Sequence, residues 1–245
     1  MKNATWMNAV YFFAALISIT FPFAAESQTQ DNGKRQALIP AGEFMMGSEN
    51  GNDAEKPVHR VKLSAYFIDR HVVTNKEYEK FQPGHPRSAH SACDDCPVTL
   101  VNWREADAYC KYLGGRLPTE AEWERAARGP ENLAWSVSDF ADTKKVRFGR
   151  SLKDGPVAVD SLPPNGFGLH SMSGNVWEWT GDWFDKKYYS DGPEDNPQGP
   201  GIGFRKSVRG GSWHNAGYYA NVGMRFKIFP KVRLTSIGFR CASNH

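Results

Sequence analysis

Apolar and polar positions alternate along two early stretches of the chain. Residues 38–48 read as a strand that ends at Gly47. Residues 58–68 repeat the pattern, with Val61, Leu63 and Phe67 on one face and charges on the other. A period of two marks a half-buried strand. Between them lies an acidic loop, ENGNDAEKP, a weak calcium candidate better read as solvated. The period then lengthens to that of a helix. Thr74 followed by Glu77 makes a capping-box pattern at the head of NKEYEKF. In residues 102–113, Trp103, Ala106, Tyr109, Cys110 and Leu113 share one stripe, and Gly114-Gly115 ends the helix. Thr119 caps TEAEWERAAR, with Glu122 again three residues on. Glu120, Glu122 and Glu124 read as a charged helix face rather than as catalytic carboxylates.

Residues 165–183, NGFGLHSMSGNVWEWTGDW, break both periods. Glycines at 166, 168 and 174 permit a tight turn. After Gly174, the side chains of Asn175 and Glu178 and the carbonyl of Val176 offer oxygen ligands of the kind calcium prefers. The competing reading is a Trp-rich core turn in which Asn and Glu cap local backbone. Residues 129–155 and 186–203 are irregular, and residues 204–208 lead into RGGSW. Propensity alone gives an α+β chain with no internal repeat.

The 245 residues carry 23% charged and 13% aromatic side chains, as a globular chain does. A mean hydropathy of −0.57 with 23 Gly and 15 Pro points to many loops. The net charge is only +3 and no basic run stands out, which disfavours nucleic acid as a partner. The N-terminus changes the picture more. Lys2 precedes an apolar run at 9–25, and Ala25-Glu26-Ser27 offers a small-x-small cleavage site. Residues 1–27 therefore read as a signal peptide and 28–37 as a flexible segment. The expectation is an exported, periplasmic or secreted protein with no membrane span in the mature chain. All four cysteines fall in the exported part, and an even count there reads as two disulfides. The CDDC spacing of Cys93 and Cys96 fits a local disulfide. It also fits a redox pair, or half a zinc site completed by His85 and His90.

Five segments together resemble the formylglycine-generating enzyme, or sulfatase-modifying factor, family. They are IPAGEFMMGS at 39–48, GGRLPTEAEWERAARG at 114–129, GNVWEW after NGFGL, RGGSW at 209–213, and IGFRCA at 237–242. They stand in the family's order and span residues 38–242, so 38–245 is expected to be one sulfatase-modifying-factor-like domain. The resemblance implies a C-type-lectin-like α+β fold with short twisted strands, two main helices and much irregular loop. It also implies a Cys110–Cys241 bridge, leaving Cys93 and Cys96 to pair with each other, and calcium at Asn175, Val176 and Glu178. A second calcium site in relatives uses an Asn and a later Asp. Here Arg147 stands at the first position and Asp154 near the second.

Formylglycine-generating enzymes carry two copper-binding cysteines, five residues apart, after GGSW. Counted from Trp213, those positions are Asn215 and Ala220, and no cysteine lies between Cys110 and Cys241. Soft thiolates are what hold Cu(I), so copper is not expected here. Around the vacated positions, Ser212, Trp213, His214, Asn215, Tyr218, Tyr219 and Arg225 are candidates to line a ligand cleft. His214 reads either as a ligand or base or as a hydrogen-bonded bystander. Tyr218 and Tyr219 either stack on a ligand or pack under the turn. The expected function is a ligand-binding or maturation-accessory protein. Its partner would be a peptide, a peptide-derived metabolite or a protein. The alternative is an oxidative tailoring enzyme of the same fold, as in siderophore chromophore maturation, working without the cysteine pair. A true formylglycine-generating oxidase ranks last.

Overall fold

The computed structural model describes Met1 and residues 35–244. The signal-peptide reading of 1–27 lies outside the described residues apart from Met1. Each of the two alternating runs breaks in the middle, and each half joins a different sheet. The first gives β1 (Gln36–Ile39) and β2 (Gly42–Met46). The second gives β3 (His59–Leu63) and β4 (Tyr66–Asp69). Antiparallel pairing joins β2 to β3 and β1 to β4, and β9 (Ala242–Asn244) pairs with the far side of β4. Pro40, which has no N–H to donate, marks the first break. At the second break the side-chain parity flips. Val61 and Leu63 are buried as expected, but beyond it Tyr66 and Ile68 are buried and Phe67 is half-buried. β1 also begins inside the segment expected to be flexible, where Arg35 pairs with Asp69.

Three capped helices follow: α1 (Asn75–Phe81), α2 (Trp103–Tyr112) and α3 (Glu120–Arg128). Thr74, Asn102 and Thr119 each accept from the first-turn backbone, while Glu77, Glu105 and Glu122 return the bond to the cap. The turn at 165–183 is a turn only in its first half. From Trp177 it runs as β5 (Trp177–Trp183), inside a four-stranded sheet with β6 (Lys206–Arg209), β7 (Phe226–Ile228) and β8 (Ile237–Gly238). The order is β7-β6-β5-β8, with β8 parallel to β5 and the other pairs antiparallel. A short helix, α4 (Tyr188–Asp191), sits in the loop after β5. The result is the mixed α/β architecture, rich in loops, that the resemblance implies.

Trp123, Trp179 and Trp213 are fully buried. Each ring removes about 150–250 Å² from water, on the order of 4–6 kcal/mol of transfer free energy. Both disulfides form, Cys110–Cys241 and Cys93–Cys96, which leaves no free thiol among the described residues. The first ties α2 to the segment before β9. The second closes the CDDC loop, so neither thiol of that pair is available as a zinc ligand.

Candidate functional site

The chemistry begins with what the fold does to its charges. The glutamates of α3 do not form a solvated face. Glu120, Glu122 and Glu124 are 2%, 7% and 0% exposed. Glu120 is gripped by two arginines, Arg209 at the end of β6 and Arg225 just before β7: Arg225 contacts both of its oxygens at 2.9 Å, and Arg209 reaches Oε1 at 2.9 Å. Glu124 pairs with Arg209 and with Arg128 one turn along its own helix. Burial alone would raise the Glu120 carboxyl, but the charges of Arg225 and Arg209 overcome it and hold the group at about 2. Asp182 accepts from the Glu120 amide at 2.7 Å; burial and then the Glu120 charge push its carboxyl up to about 8. Arg225, a candidate cleft residue, is thus a buried strut that also donates to the Ala54 carbonyl.

The calcium ligands nominated at the Trp-rich turn are engaged in the same manner. Both oxygens of Glu178 accept from Arg240, at 2.7 and 2.8 Å, and Oε2 also accepts from the Trp123 indole. The Asn175 side chain closes a two-way pair with the Val157 backbone. Gly174 at φ +75° brings its Cα hard against the Arg147 carbonyl, where a Cβ would lie 2.2 Å from the oxygen. Arg147 in turn donates to the carbonyls of Asp154 and Gly155. At the turn a guanidinium takes both Glu178 oxygens, and at the second place Arg147 takes two backbone carbonyls while the Asp154 carboxylate accepts from the Ser151 amide. With Glu178 and Asn175 already engaged by protein donors, the turn is held together without an ion. EDTA should shift the melting temperature by less than about 1 °C, because an ion bound to the native state alone would stabilise it. A larger drop, restored by calcium, would show that Arg240 yields to the metal.

The segment after β6 is held by Asn215. Its Oδ1 accepts from the Trp177 indole at 2.9 Å, the Ser212 amide at 3.1 Å and the Ser212 hydroxyl at 2.7 Å. With the Ser212 proton given to Asn215, the 3.2 Å contact to His214 Nδ1 has the imidazole as donor. That is the reverse of what nucleophile activation needs. Burial lowers the His214 pKa, so the ring is neutral at pH 7. Gly211 (φ +73°) lets the turn pass the Tyr219 carbonyl, which a Cβ would approach to 2.6 Å. Trp213 is core, packed with Val72, Val159 and Val176. Ala220 is buried and has no donor atom in its side chain.

Of the seven nominated cleft residues, Tyr218 reaches an open cavity. This cavity has a volume of about 380 Å³, and Asn50, Asn52, Glu55, Trp135, Tyr218 and Asn221 are among its lining residues. The Tyr218 ring leans on that of Tyr219, centroids 4.0 Å apart, and the Trp135 indole donates to the Gly217 carbonyl. A 3-10 turn, Asp53–Glu55, supplies the acid. Glu55 Oε1 accepts from the backbone and side chain of Asn52, at 3.1 and 2.6 Å. Burial raises the Glu55 carboxyl pKa against the pull of the Asn52 bond and of Arg209. The remaining loop residues were missed because the acidic stretch read as solvated. The signal was present as Asn52-x-x-Glu55, a capping box that folds the glutamate inward. The cavity wall offers two aromatic faces, several amides and one carboxyl group, with no thiol, lysine, arginine or histidine.

Residues 22–245 match the family model described as the sulfatase-modifying factor enzyme 1-like domain. A formylglycine-generating enzyme of Streptomyces coelicolor is 32% identical over 279 residues, covering 85% of this chain and 89% of that protein. Among solved structures, Treponema denticola variable protein 1 aligns with a TM-score of 0.77 at 26% identity, covering 86% of this chain and 95% of that one. PvdO from Pseudomonas aeruginosa aligns with a TM-score of 0.75 at 25% identity, covering 86% and 94%. These sequence and structural matches agree with the motif order and with the fold: the chain belongs to the sulfatase-modifying factor enzyme 1-like family.

Proposed function

We propose that this protein is an exported binding or maturation-accessory member of its family, acting on a peptide or a peptide-derived product. The observation that carries the reading is the cavity beside residues 215–221. It pairs aromatic walls with amides, as suits a peptide backbone and its side chains, and it lacks thiolates for copper. Positions 215 and 220 carry an amide oxygen already engaged by three donors and a methyl group. Two disulfides agree with export to an oxidising compartment.

Two arms test it. With copper, oxygen and reductant, a sulfatase-type peptide should keep its cysteine, as read by mass; robust aldehyde formation would overturn the reading. In the second arm, a pool of synthetic peptides is passed over the immobilised protein. Retention should fall about tenfold in Trp135→Ala and Tyr218→Ala, as loss of an aromatic anchor commonly costs. Equal retention by both variants would place binding elsewhere.

Glu55 favours a second reading, an oxidative tailoring enzyme. A buried carboxyl with a raised pKa is suited to proton transfer. Oxygen uptake with a product lighter by two hydrogens, lost in Glu55→Gln, would select it.

A further inference from the structure

A concavity of about 910 Å³ shares no lining residue with the cavity just described. Its lining includes Phe184, Ile202, Phe204, Arg205, Lys227 and Phe229. Ile202 and Phe204 are 88% and 89% exposed, on a turn that Gly203 presses close to Trp183. Large apolar side chains left bare side by side mark an interaction surface. The Arg205 guanidinium stacks 4.6 Å from the Phe229 ring centre, and the Lys227 ammonium 4.5 Å from that of Phe184. Neither cation has a carboxylate partner among the described residues, whereas Arg209 in β6 and Arg225 just before β7 are both paired. The basin thus combines apolar area with an excess of positive charge, two cations against the single carboxylate of Asp185.

Beside it runs β7, the edge of the four-stranded sheet. β7 pairs with β6 on one side and, among the described residues, with no strand on the other. Lys227, in the middle of β7, and Phe229, just beyond its end, both line the basin. An unpaired strand edge next to side-chain pockets is how extended peptides are captured: backbone bonds hold the chain, and alternate side chains read the pocket. We infer that this face docks an extended, acidic and apolar segment of a partner polypeptide, which adds to the edge of β7. Its bulky side chains would settle among Phe184, Phe204 and Phe229, and its carboxylates would meet Arg205 and Lys227. A flat bilayer cannot fill a concavity, and an isolated acyl chain would leave the open side of the basin wet. A chain segment brings its own cover. The surface is separate from the Trp135–Tyr218 cavity and does not depend on what that cavity binds.

The probe is a pool of short capped peptides alternating Asp or Glu with Phe, Leu or Ile, compared with a matched pool carrying Lys or Arg. The immobilised protein should retain the acidic pool about tenfold better, and less so as salt rises from about 50 to about 500 mM. Ile202→Ser with Phe204→Ser should cut retention about tenfold. Arg205→Glu with Lys227→Glu should invert the preference towards the basic pool, which misfolding would not do. The measurements are repeated in a Tyr218→Ala background, which removes the cavity's share of retention; the acidic-over-basic preference and its inversion should persist there, so failure of the cavity reading and failure of this one are distinguishable. Equal retention of both pools, or indifference to the charge reversal, would overturn the inference. So would binding to phosphatidylglycerol vesicles, or self-association abolished by Phe204→Ser, if either occurred without acidic-peptide retention.

Discussion

Glu120→Gln should destabilise the protein by about 3–5 kcal/mol, the usual cost of removing one partner from a buried ion pair. The substitution keeps the volume of the side chain and removes its charge. Arg225 would then lose its carboxylate partner and keep only neutral acceptors such as the Ala54 carbonyl, while Arg209 would still pair with Glu124. For a chain of this size the melting temperature should fall by roughly 10 °C or more. Arg233→Ala, which breaks the exposed pair with Glu105, should cost less than about 1 kcal/mol and serves as the control. The acid limb carries the same signature. Because the folded Glu120 carboxyl sits at about 2, below its ordinary 4.5, its stabilisation is complete above the unfolded value. It is lost as pH falls through about 2, and the Gln variant should lack that part of the decline. If both variants melt together, the network contributes nothing beyond packing.

Cys110→Ser should remove a comparable amount. The Cys110–Cys241 bridge spans 131 residues of sequence. In the chain-entropy model closing such a loop is worth about 4–5 kcal/mol, through the freedom denied to the unfolded chain. Denaturant melts of oxidised wild type and variant should differ by that amount. The Cys93–Cys96 bridge closes a separation of only three residues, so Cys93→Ser should cost much less. Equal losses would mean that local strain rather than loop closure sets the effect.

What could be read from the chain was what neighbours in sequence decide. The capping pairs Thr74/Glu77 and Thr119/Glu122 act over three residues, and both formed. The α2 stripe buried Ala106, Tyr109 and Cys110 as its spacing implies. What could not be read was set by partners far along the chain. Glu120 and Glu124 looked solvated because Arg209 and Arg225 lie 85 to 105 residues away. Glu178 looked free to bind a metal because Arg240, 62 residues on, was not in view. The candidate cleft shows the same division. Local reading found Tyr218, but not Trp135 or Asn52, which reach the cavity from other loops. Periodicity also missed the two strand breaks, since alternation continues in sequence while the partner strand changes.

The IGFRCA segment has a consequence for how the chain is made. Ile237 and Gly238 supply β8, Arg240 neutralises Glu178, Cys241 closes the long disulfide, and Ala242 begins β9 on the other sheet. Translation delivers the N-terminal part first. Until residues 237–244 emerge, Glu178 has no arginine, β4 has one bare edge and Cys110 has no bridge partner. Native closure therefore waits for this segment rather than building up progressively. A chain cut off before residue 237 would leave both sheets open.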